Sequence, residues 1–457
     1  MDFLSVIDEI SPILKNAADA LWDQPETAFA EFYATDLICQ LLQEEGFQVE
    51  KNLAGISTAF KGSFGSGKPV IAYLGEYDAL SGLHQESGIT QQQGNGGNGH
   101  GCGHHLLGIG SLGAAIAVKR YLAQTGTEGT VVYFGCPGEE GGSGKAFMAR
   151  DGVFDVADVA FCWHPGSANA VYTRTSLANC QVLYKFDGIA AHAATGPHLG
   201  RSALDAVELM NVGVNFLREH MRADSRIHYA ITNAGGFSPN VVQAHSEVLY
   251  LIRSADVQQL EQLRERVDNI AKGAALMTGT TVSWEMIKAC SNTVLNHTLL
   301  QLLYEKMVQI SPPKVTDQDL DFAQKLTQAS LCSYSTSNLQ QPIMDGVKPY
   351  TGEVTHSCGS TDVGDVSWVC PTAQILTATF VRGTPEHSWQ NVTQGKMPLA
   401  HNAMLYASKV LSAAAIELLE NPARLEEAKR EHLQRTQPTG YRCPIPAGLQ
   451  PRAIQDL

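Results

Sequence analysis

Gly94-Asn95-Gly96-Gly97-Asn98-Gly99-His100-Gly101-Cys102-Gly103-His104-His105 puts three histidines and a cysteine into its last six residues. The residues ahead of them are too glycine-rich to hold regular structure. Leu106-Leu107-Gly108-Ile109 follows at once and leads to Ala114-Ala115-Ile116-Ala117-Val118, which reads as a buried helix. In a loop running into a helix start, small Gly99, Gly101 and Gly103 let side chains converge on one point. Thiolate and neutral imidazole are good ligands for zinc-like ions, so the stretch is expected to bind metal. The plainer alternative is a helix-capping loop with incidental histidines.

The flanking sequence supplies acids at the ends of buried strands. Val70-Ile71-Ala72-Tyr73-Leu74-Gly75 is a continuous apolar run, as a strand covered on both faces requires, and it ends in Glu76-Tyr77-Asp78. Open α/β sheets bind ligands at such strand ends, although Asp78 would serve equally as a turn-capping carboxylate. Thr130 to Gly135 repeats the pattern and ends in Cys136-Pro137-Gly138-Glu139-Glu140-Gly141-Gly142-Ser143-Gly144-Lys145. Paired glutamates between glycines can divide labour, one binding metal and one acting as base; a solvated acidic turn is the alternative. Val159 to Trp163 is a third such strand and ends in His164-Pro165-Gly166, a third candidate ligand in succession.

Upstream, residues 3–46 carry apolar residues at helical spacing, and Pro25-Glu26-Thr27 splits them into two helices. Val49 to Phe60 reads as an edge strand and its turn, with Gly62, Gly65 and Gly67 in the loop after it. Downstream the pattern changes near residue 176. Strands at 178–186, 227–231, 247–252 and 282–285 alternate with amphipathic helices at 202–221 and 257–277. That order predicts a small, mainly antiparallel α+β unit inserted at 176–293. A helix follows at 298–311, then a polar, less ordered stretch to about 350. Gly359 to Asp365 reads as a turn, 373–380 as a strand and Gly383 to Ser388 as the loop after it. His401 is expected to open a helix reaching Leu419, and the charged, proline-rich tail after Pro422 to lie on the surface.

At 457 residues, two domains or one domain with a large insertion is the expectation. A hydrophobic content of 44% and mean hydropathy of -0.10 suit a chain with a full buried core. The net charge of -14 and the lack of a basic run argue against nucleic acid and anionic membrane as partners. The N-terminus does not read as a signal peptide, and no later stretch reads as long and apolar enough to span a bilayer. Ten scattered cysteines suit a reducing cytoplasm.

Taken together, the motifs resemble the co-catalytic di-metal amidohydrolases and exopeptidases that include aminoacylase, carboxypeptidase G and the auxin-conjugate hydrolases, and among these the bacterial p-aminobenzoyl-glutamate hydrolase branch. Gly-His-Gly-Cys-Gly-His at 99–104, Cys-Pro-Gly-Glu-Glu-Gly-Gly-Ser-Gly at 136–144 and Trp-His-Pro-Gly at 163–166 carry the resemblance. So do Ala-Ala-His-Ala-Ala at 190–194, Ser-Pro-Asn-Val-Val at 238–242 and Gly-Ser-Thr-Asp-Val-Gly-Asp-Val-Ser at 359–367. His105 departs from the Asn or Asp common in relatives, and Ser81 from their Pro.

The resemblance implies an α/β fold: a zinc-exopeptidase-like catalytic domain, a mixed sheet flanked by helices, built from 1–175 and 294–457. Residues 176–293 would form an inserted α+β, ferredoxin-like lid and dimerisation domain. It implies metal ligands at Cys102, His104, Glu140, His164 and His387, with His401 a nearby competitor for the last place. Glu139 matches the general base and Asp78 the carboxylate that orients the site, while Glu76 stands where aminopeptidase-like relatives carry a histidine ligand. His192 and Asn240 match lid residues that reach an active site, often across a homodimer; Arg253 joins Asn240 as a candidate for binding a substrate carboxylate. The implied cofactors are two divalent ions per subunit, Zn2+ or Mn2+. The implied reaction is hydrolysis of the amide in N-acyl or N-aroyl amino acids, with p-aminobenzoyl-glutamate a candidate. A dipeptidase or aminopeptidase on the same scaffold is the alternative, and a non-catalytic metal-binding protein a third, opposed by the intact Glu139-Glu140 pair.

Overall fold

The apolar runs that end in Glu76, Cys136 and His164 lie side by side at the centre of a seven-stranded sheet. A computed structural model describes residues 4–94, 96–329 and 340–453. Asn95 of the glycine-rich loop and residues 330–339 of the stretch expected to be less ordered lie outside the described residues. In chain order the sheet takes β1 (Gln48–Lys51), β2 (Phe60–Ser66), β3 (Val70–Gly75), β4 (Gly129–Gly135), β5 (Val159–Gly166) and β6 (Ala170–Val171). A second sheet then takes β7 (Ala178–Asp187), β8 (Arg226–Asn233), β9 (His245–Ser254) and β10 (Thr281–Cys290), and β11 (Thr372–Ala378) returns to the first. The first sheet runs β1-β2-β4-β3-β5-β11-β6. Its four central strands β4, β3, β5 and β11 are mutually parallel and its margins antiparallel, so the sheet is mixed.

Side-chain alternation sends Ile71, Tyr73, Val131, Tyr133, Phe161 and Trp163 to one face of this sheet. There α1 (Ser5–Asp23), α3 (His104–Thr125), α7 (His297–Ile310) and α10 (Pro398–Glu420) cover them, with α2 (Phe32–Glu44) beside α1 and α3. The opposite face, with Ala72, Leu74, Val132, Phe134 and Ala160, is covered in part by α4 (Gly144–Arg150). Helix α3 is buried almost throughout and can lie this deep because it presents glycine to its neighbours. A Cβ at Gly108 would sit 2.6 Å from the Glu76 carbonyl oxygen, and one at Gly110 would sit 2.7 Å from the Trp163 ring. The helix is long and apolar enough by composition to cross a bilayer, against the sequence expectation that no stretch is, yet 83% of that window is buried inside the fold.

The second sheet runs β8-β9-β7-β10, all antiparallel, and α5 (Ala203–Leu217) and α6 (Val257–Thr278) lie on one of its faces. Strict alternation of half-buried and buried residues along β9 marks that covered face. The order of elements and of strands is that of a ferredoxin-like α+β unit.

Some local readings change. The expected single edge strand at 49–60 is a hairpin of β1 and β2, and Gly62 and Gly65 lie within β2, because Gly62 leaves room for Leu42 of α2. Asp317–Ala329 forms α8, whose polar composition hid it; it is held by buried Ala323 and Leu326 with Phe322 packed beside them. Val363–Val369 forms α9 directly after the Gly359 turn. Helix α10 starts at Pro398, three residues before His401, with proline in the first turn where no amide hydrogen is needed. Pro422–Thr436 in the tail is helix α11, anchored by buried Leu425 and Ala428.

Candidate metal centre

The C-terminal ends of the parallel strands converge on one cleft. Strand β3 delivers Glu76 and Asp78, β4 delivers Glu139 and Glu140, β5 carries His164 near its C-terminal end, and the start of α3 adds Cys102 and His104. His387 arrives from the loop after β11 with a left-handed backbone, φ 55°. Cys102 Sγ lies 3.4 Å from His164 Nε2, and His387 Nε2 lies 3.1 Å from Glu140 Oε1. Three ligand triplets result, Cys102–His104–His164, Cys102–Glu140–His387 and Glu76–His104–Glu139, each with its donor atoms within 4.8 Å of one another. The thiolate belongs to the first two.

These residues fit a pair of divalent cations. His104 Nε2 and Glu140 Oε1 are buried and make no well-formed hydrogen bond, although Glu76 Oε2 and His387 Nε2 stand 3.3 and 3.1 Å away, an arrangement of crowded donor atoms that a bound cation would satisfy. Asp78 Oδ1 lies 2.8 Å from His104 Nδ1, which leaves Nε2 as the coordinating atom, and its other oxygen accepts the Glu140 amide at 2.9 Å. One carboxylate therefore orients a ligand from each triplet. Burial and Glu140 push the Cys102 thiol upward, but His164 and His104 overcome both and bring it down to about 6. Burial works against protonation of His164, yet Cys102 outweighs it and lifts the imidazole to about 9. An anionic pocket that draws protons this strongly draws metal cations in their place. Burial, followed by the Glu76 and Glu140 charges, holds the Glu139 carboxyl well above its ordinary value, the direction that makes a carboxylate a strong base.

Of the three clustered histidines only His104 faces the cleft. The His105 ring packs 4.7 Å from that of His100, and the two rings hydrogen-bond the Gly395 and Leu21 carbonyls. His401 pairs with Asp19 at 2.8 Å. The fold thus brings Asp78, Cys102, His104, Glu139, Glu140, His164 and His387 together. Arg253 lines the same cavity and donates to Ser360 Oγ at 3.0 Å. His192 and Asn240 do not line it: they meet on the far loops of the second sheet, where His192 bridges to Val241 and the Asn240 carbonyl accepts the Ala193 amide.

Sequence reasoning missed the charge behind the centre. Lys145 is fully buried with Nζ 2.6 Å from both Glu76 Oε1 and Asp362 Oδ1, and Glu76 Oε2 lies 3.3 Å from His104 Nε2. Lys145 closes the glycine-rich motif after Glu140, and a lysine at that place was the one available signal. Glu31 was missed as well. Its carboxylate accepts the Gly138 amide at 2.8 Å and the Thr58 hydroxyl at 3.0 Å, which fixes the loop that carries Glu139.

The cavity in front of the centre has a volume of about 670 Å³. Four cations line it, Arg174, Arg253, Lys288 and Lys348, and none is paired with a carboxylate among the described residues.

Residues 173–278 match the peptidase dimerisation domain of the M20 family. The chain is 46% identical to one of the subunits of the p-aminobenzoyl-glutamate hydrolase of Escherichia coli, over 96% of this chain and 95% of that one. It is 28% identical to the Xaa-Arg dipeptidase of Mus musculus, over 93% and 90% of the two chains. A Bacillus subtilis protein described as a dinuclear metal-binding peptidase of the M20 family superposes with a TM-score of 0.58 at 17% identity, covering 90% of this chain and 99% of that one.

Proposed function

The chain belongs to the M20 family of metallopeptidases, and from that premise we propose that it hydrolyses the amide bond of N-acyl or N-aroyl amino acids, p-aminobenzoyl-glutamate among them. The observation that carries the substrate side is the set of four cations without carboxylate partners around the cavity, in a chain of net charge -14. Anionic leaving amino acids complement them. The dipeptidase reading shares the scaffold, but a substrate ending in arginine would add a cation to a cationic wall.

Cys102, His104, Glu140, His164 and His387 would hold two divalent ions, with the thiolate favouring zinc over manganese. When bound, such ions acidify water and polarise the scissile carbonyl. Glu139 takes the proton from the attacking water and returns it to the departing amine nitrogen. Asp78 keeps His104 and Glu140 in position. Arg253 holds a substrate carboxylate at the mouth of the cavity. We divide the chain into a catalytic body of 1–175 and 294–457 and a lid of 176–293, and infer a homodimer in which His192 and Asn240 of one subunit reach the centre of the other. His192 there would stabilise the oxyanion, a contribution of about 3 kcal/mol for one such donor. The unpaired cysteines among the described residues suit a reducing cytoplasm.

The test measures metal content together with turnover on acyl-amino acids and free-amine dipeptides. Glu139→Gln should retain both ions and lose turnover by about a hundredfold or more. A Glu139→Gln chain that keeps wild-type rates, or a wild type that prefers dipeptides ending in arginine, refutes the reading.

A further inference from the structure

The lid sheet has an apolar face under α5 and α6 and a polar face turned to the cavity. Along β7, Cys180, Val182 and Tyr184 belong to the covered face, while Asn179 and Gln181 line the cavity. Strand β10 pairs with β7 in regular register from Thr281↔Asp187 to Met286↔Val182. Continued without interruption, that register would set Ile287 opposite Gln181 and Lys288 opposite Cys180, driving the lysine into the apolar layer. The pairing instead shifts, so that Lys288 opposes Gln181 and Ala289 opposes Cys180, with Ile287 as the extra residue. A one-residue slip exchanges the two faces of a strand, and bulges beside clefts are a known device for re-aiming a side chain.

Lys288 is only 6% exposed. Its Nζ donates to the Glu140 carbonyl at 3.0 Å and has no carboxylate partner among the described residues. An ammonium removed from water without an anion is costly, so its two remaining N–H groups are suited to an anion that arrives with the substrate. We propose that Lys288 reads the α-carboxylate of the leaving amino acid, in the same subunit as the metal centre; this rests on the amidohydrolase reading above. The α-carboxylate is borne by the carbon attached to the scissile nitrogen and must lie beside the centre, where the Glu140 loop holds Nζ. Arg253 opposes Asn179 from β9, on the far side of β7 and two residues along. Two strand spacings and two residues separate the Cα atoms of Lys288 and Arg253 by about 12 Å. Arg253 is therefore left to the side-chain carboxylate.

Lys288→Gln tests this, because the amide can still donate to the Glu140 carbonyl but carries no charge; Lys288→Arg restores the charge. Substrates are p-aminobenzoyl-glutamate, its α-amide and its γ-amide, with metal content measured throughout. Lys288→Gln should raise KM about 10- to 100-fold on the two compounds that keep the α-carboxylate. It should leave the α-amide and the metal content unchanged, and Lys288→Arg should recover most of the loss. An equal loss on all three substrates, or loss of metal, would make Lys288 a strut for the Glu140 loop and overturn the proposal. Unchanged discrimination between acid and α-amide overturns it too. Absence of wild-type turnover on all three removes the amidohydrolase reading and this inference with it.

Discussion

Replacing Lys145 by methionine leaves Glu76 and Asp362 facing each other across a fully buried gap. The ammonium now touches both carboxylates at 2.6 Å, and the Asp362 carboxylate also accepts the Lys145 amide at 2.9 Å. Removing one partner of a buried ionic group costs about 3–5 kcal/mol, because the remaining charge has neither water nor counterion. Two anions lose their cation here, so the upper half of that range is expected at neutral pH. Against a typical total stability of about 5–15 kcal/mol the loss is severe but survivable. At about 1 °C per kcal/mol for a chain of 457 residues it lowers the melting temperature by about 4–5 °C. The pH dependence identifies the cause. Burial already holds the Asp362 carboxyl above its ordinary value, with the Lys145 ammonium opposing. Without that ammonium the Asp362 carboxyl rises further, and the Glu76 carboxyl, which against burial is held below its ordinary value by Lys145 and His104, rises too, so both bind protons more tightly in the folded variant than in the folded wild type. Their penalty is therefore full above the raised folded values and disappears towards the unfolded ones, so the deficit of the variant shrinks on mild acidification. Adding Asp362→Asn should restore part of the loss at neutral pH. Calorimetry of metal-stripped wild type, single and double variants reads all three effects. A deficit below about 1 kcal/mol at neutral pH, or one that does not narrow in acid, refutes the account.

Cys102→Ser should lower the affinity for both ions at once, since the sulfur is shared by two of the triplets, and bound metal should protect the wild-type thiol from alkylation; equal alkylation rates with and without metal speak against a ligand. Burial, with Asp78 adding to it, lifts the Glu31 carboxyl from 4.5 to about 8, so metal-free wild type should lose stability as pH rises through that window. Glu31→Gln, which mimics the protonated group, should lack that slope when melting temperatures at the two ends of the window are compared. Mixing inactive Glu139→Ala and His192→Ala chains should restore activity after subunit exchange, because one site of a mixed dimer keeps both residues; continued inactivity after demonstrated exchange excludes a shared site.

The fold was legible wherever a segment settles its own environment. The runs at 70–75, 130–135 and 159–163 are apolar on both faces and announce central parallel strands, and the order of strands and helices over 178–290 announces the second, antiparallel sheet with its two helices. The candidate ligands were legible because each stands at the end of such a strand or opens a helix. What stayed hidden depends on pairing across long sequence separations. Lys145 meets Asp362 across 217 positions, and nothing local to either discloses it. The direction of Lys288 follows from the register shift at Ile287, which belongs to two strands together and cannot be read from one. His105 was flagged beside His104, but successive residues of a helix point about 100° apart, so the two cannot share a target. Helix α8 escaped because its buried stripe of Asp319, Ala323, Leu326 and Thr327 is short and half polar, so hydrophobic spacing does not reveal it.

The burial of α3 has a consequence for the order in which the chain is made. Its covering partner α1 precedes it, but α10 is the last layer and begins at Pro398, 273 residues after Thr125 (398 − 125). At about 5–20 residues per second, a ribosome needs about 14–55 s to supply that layer. Once the strands to Gly166 are made, α1, α2 and the sheet can cover its other faces, but a segment apolar enough to pass for a membrane anchor still lacks α10 on the remaining one. The nascent chain therefore offers a long-lived greasy helix to holdase chaperones and to the machinery that sorts membrane proteins. Chains truncated before residue 398 should be retained by both, whereas the finished chain, with α10 docked, should escape.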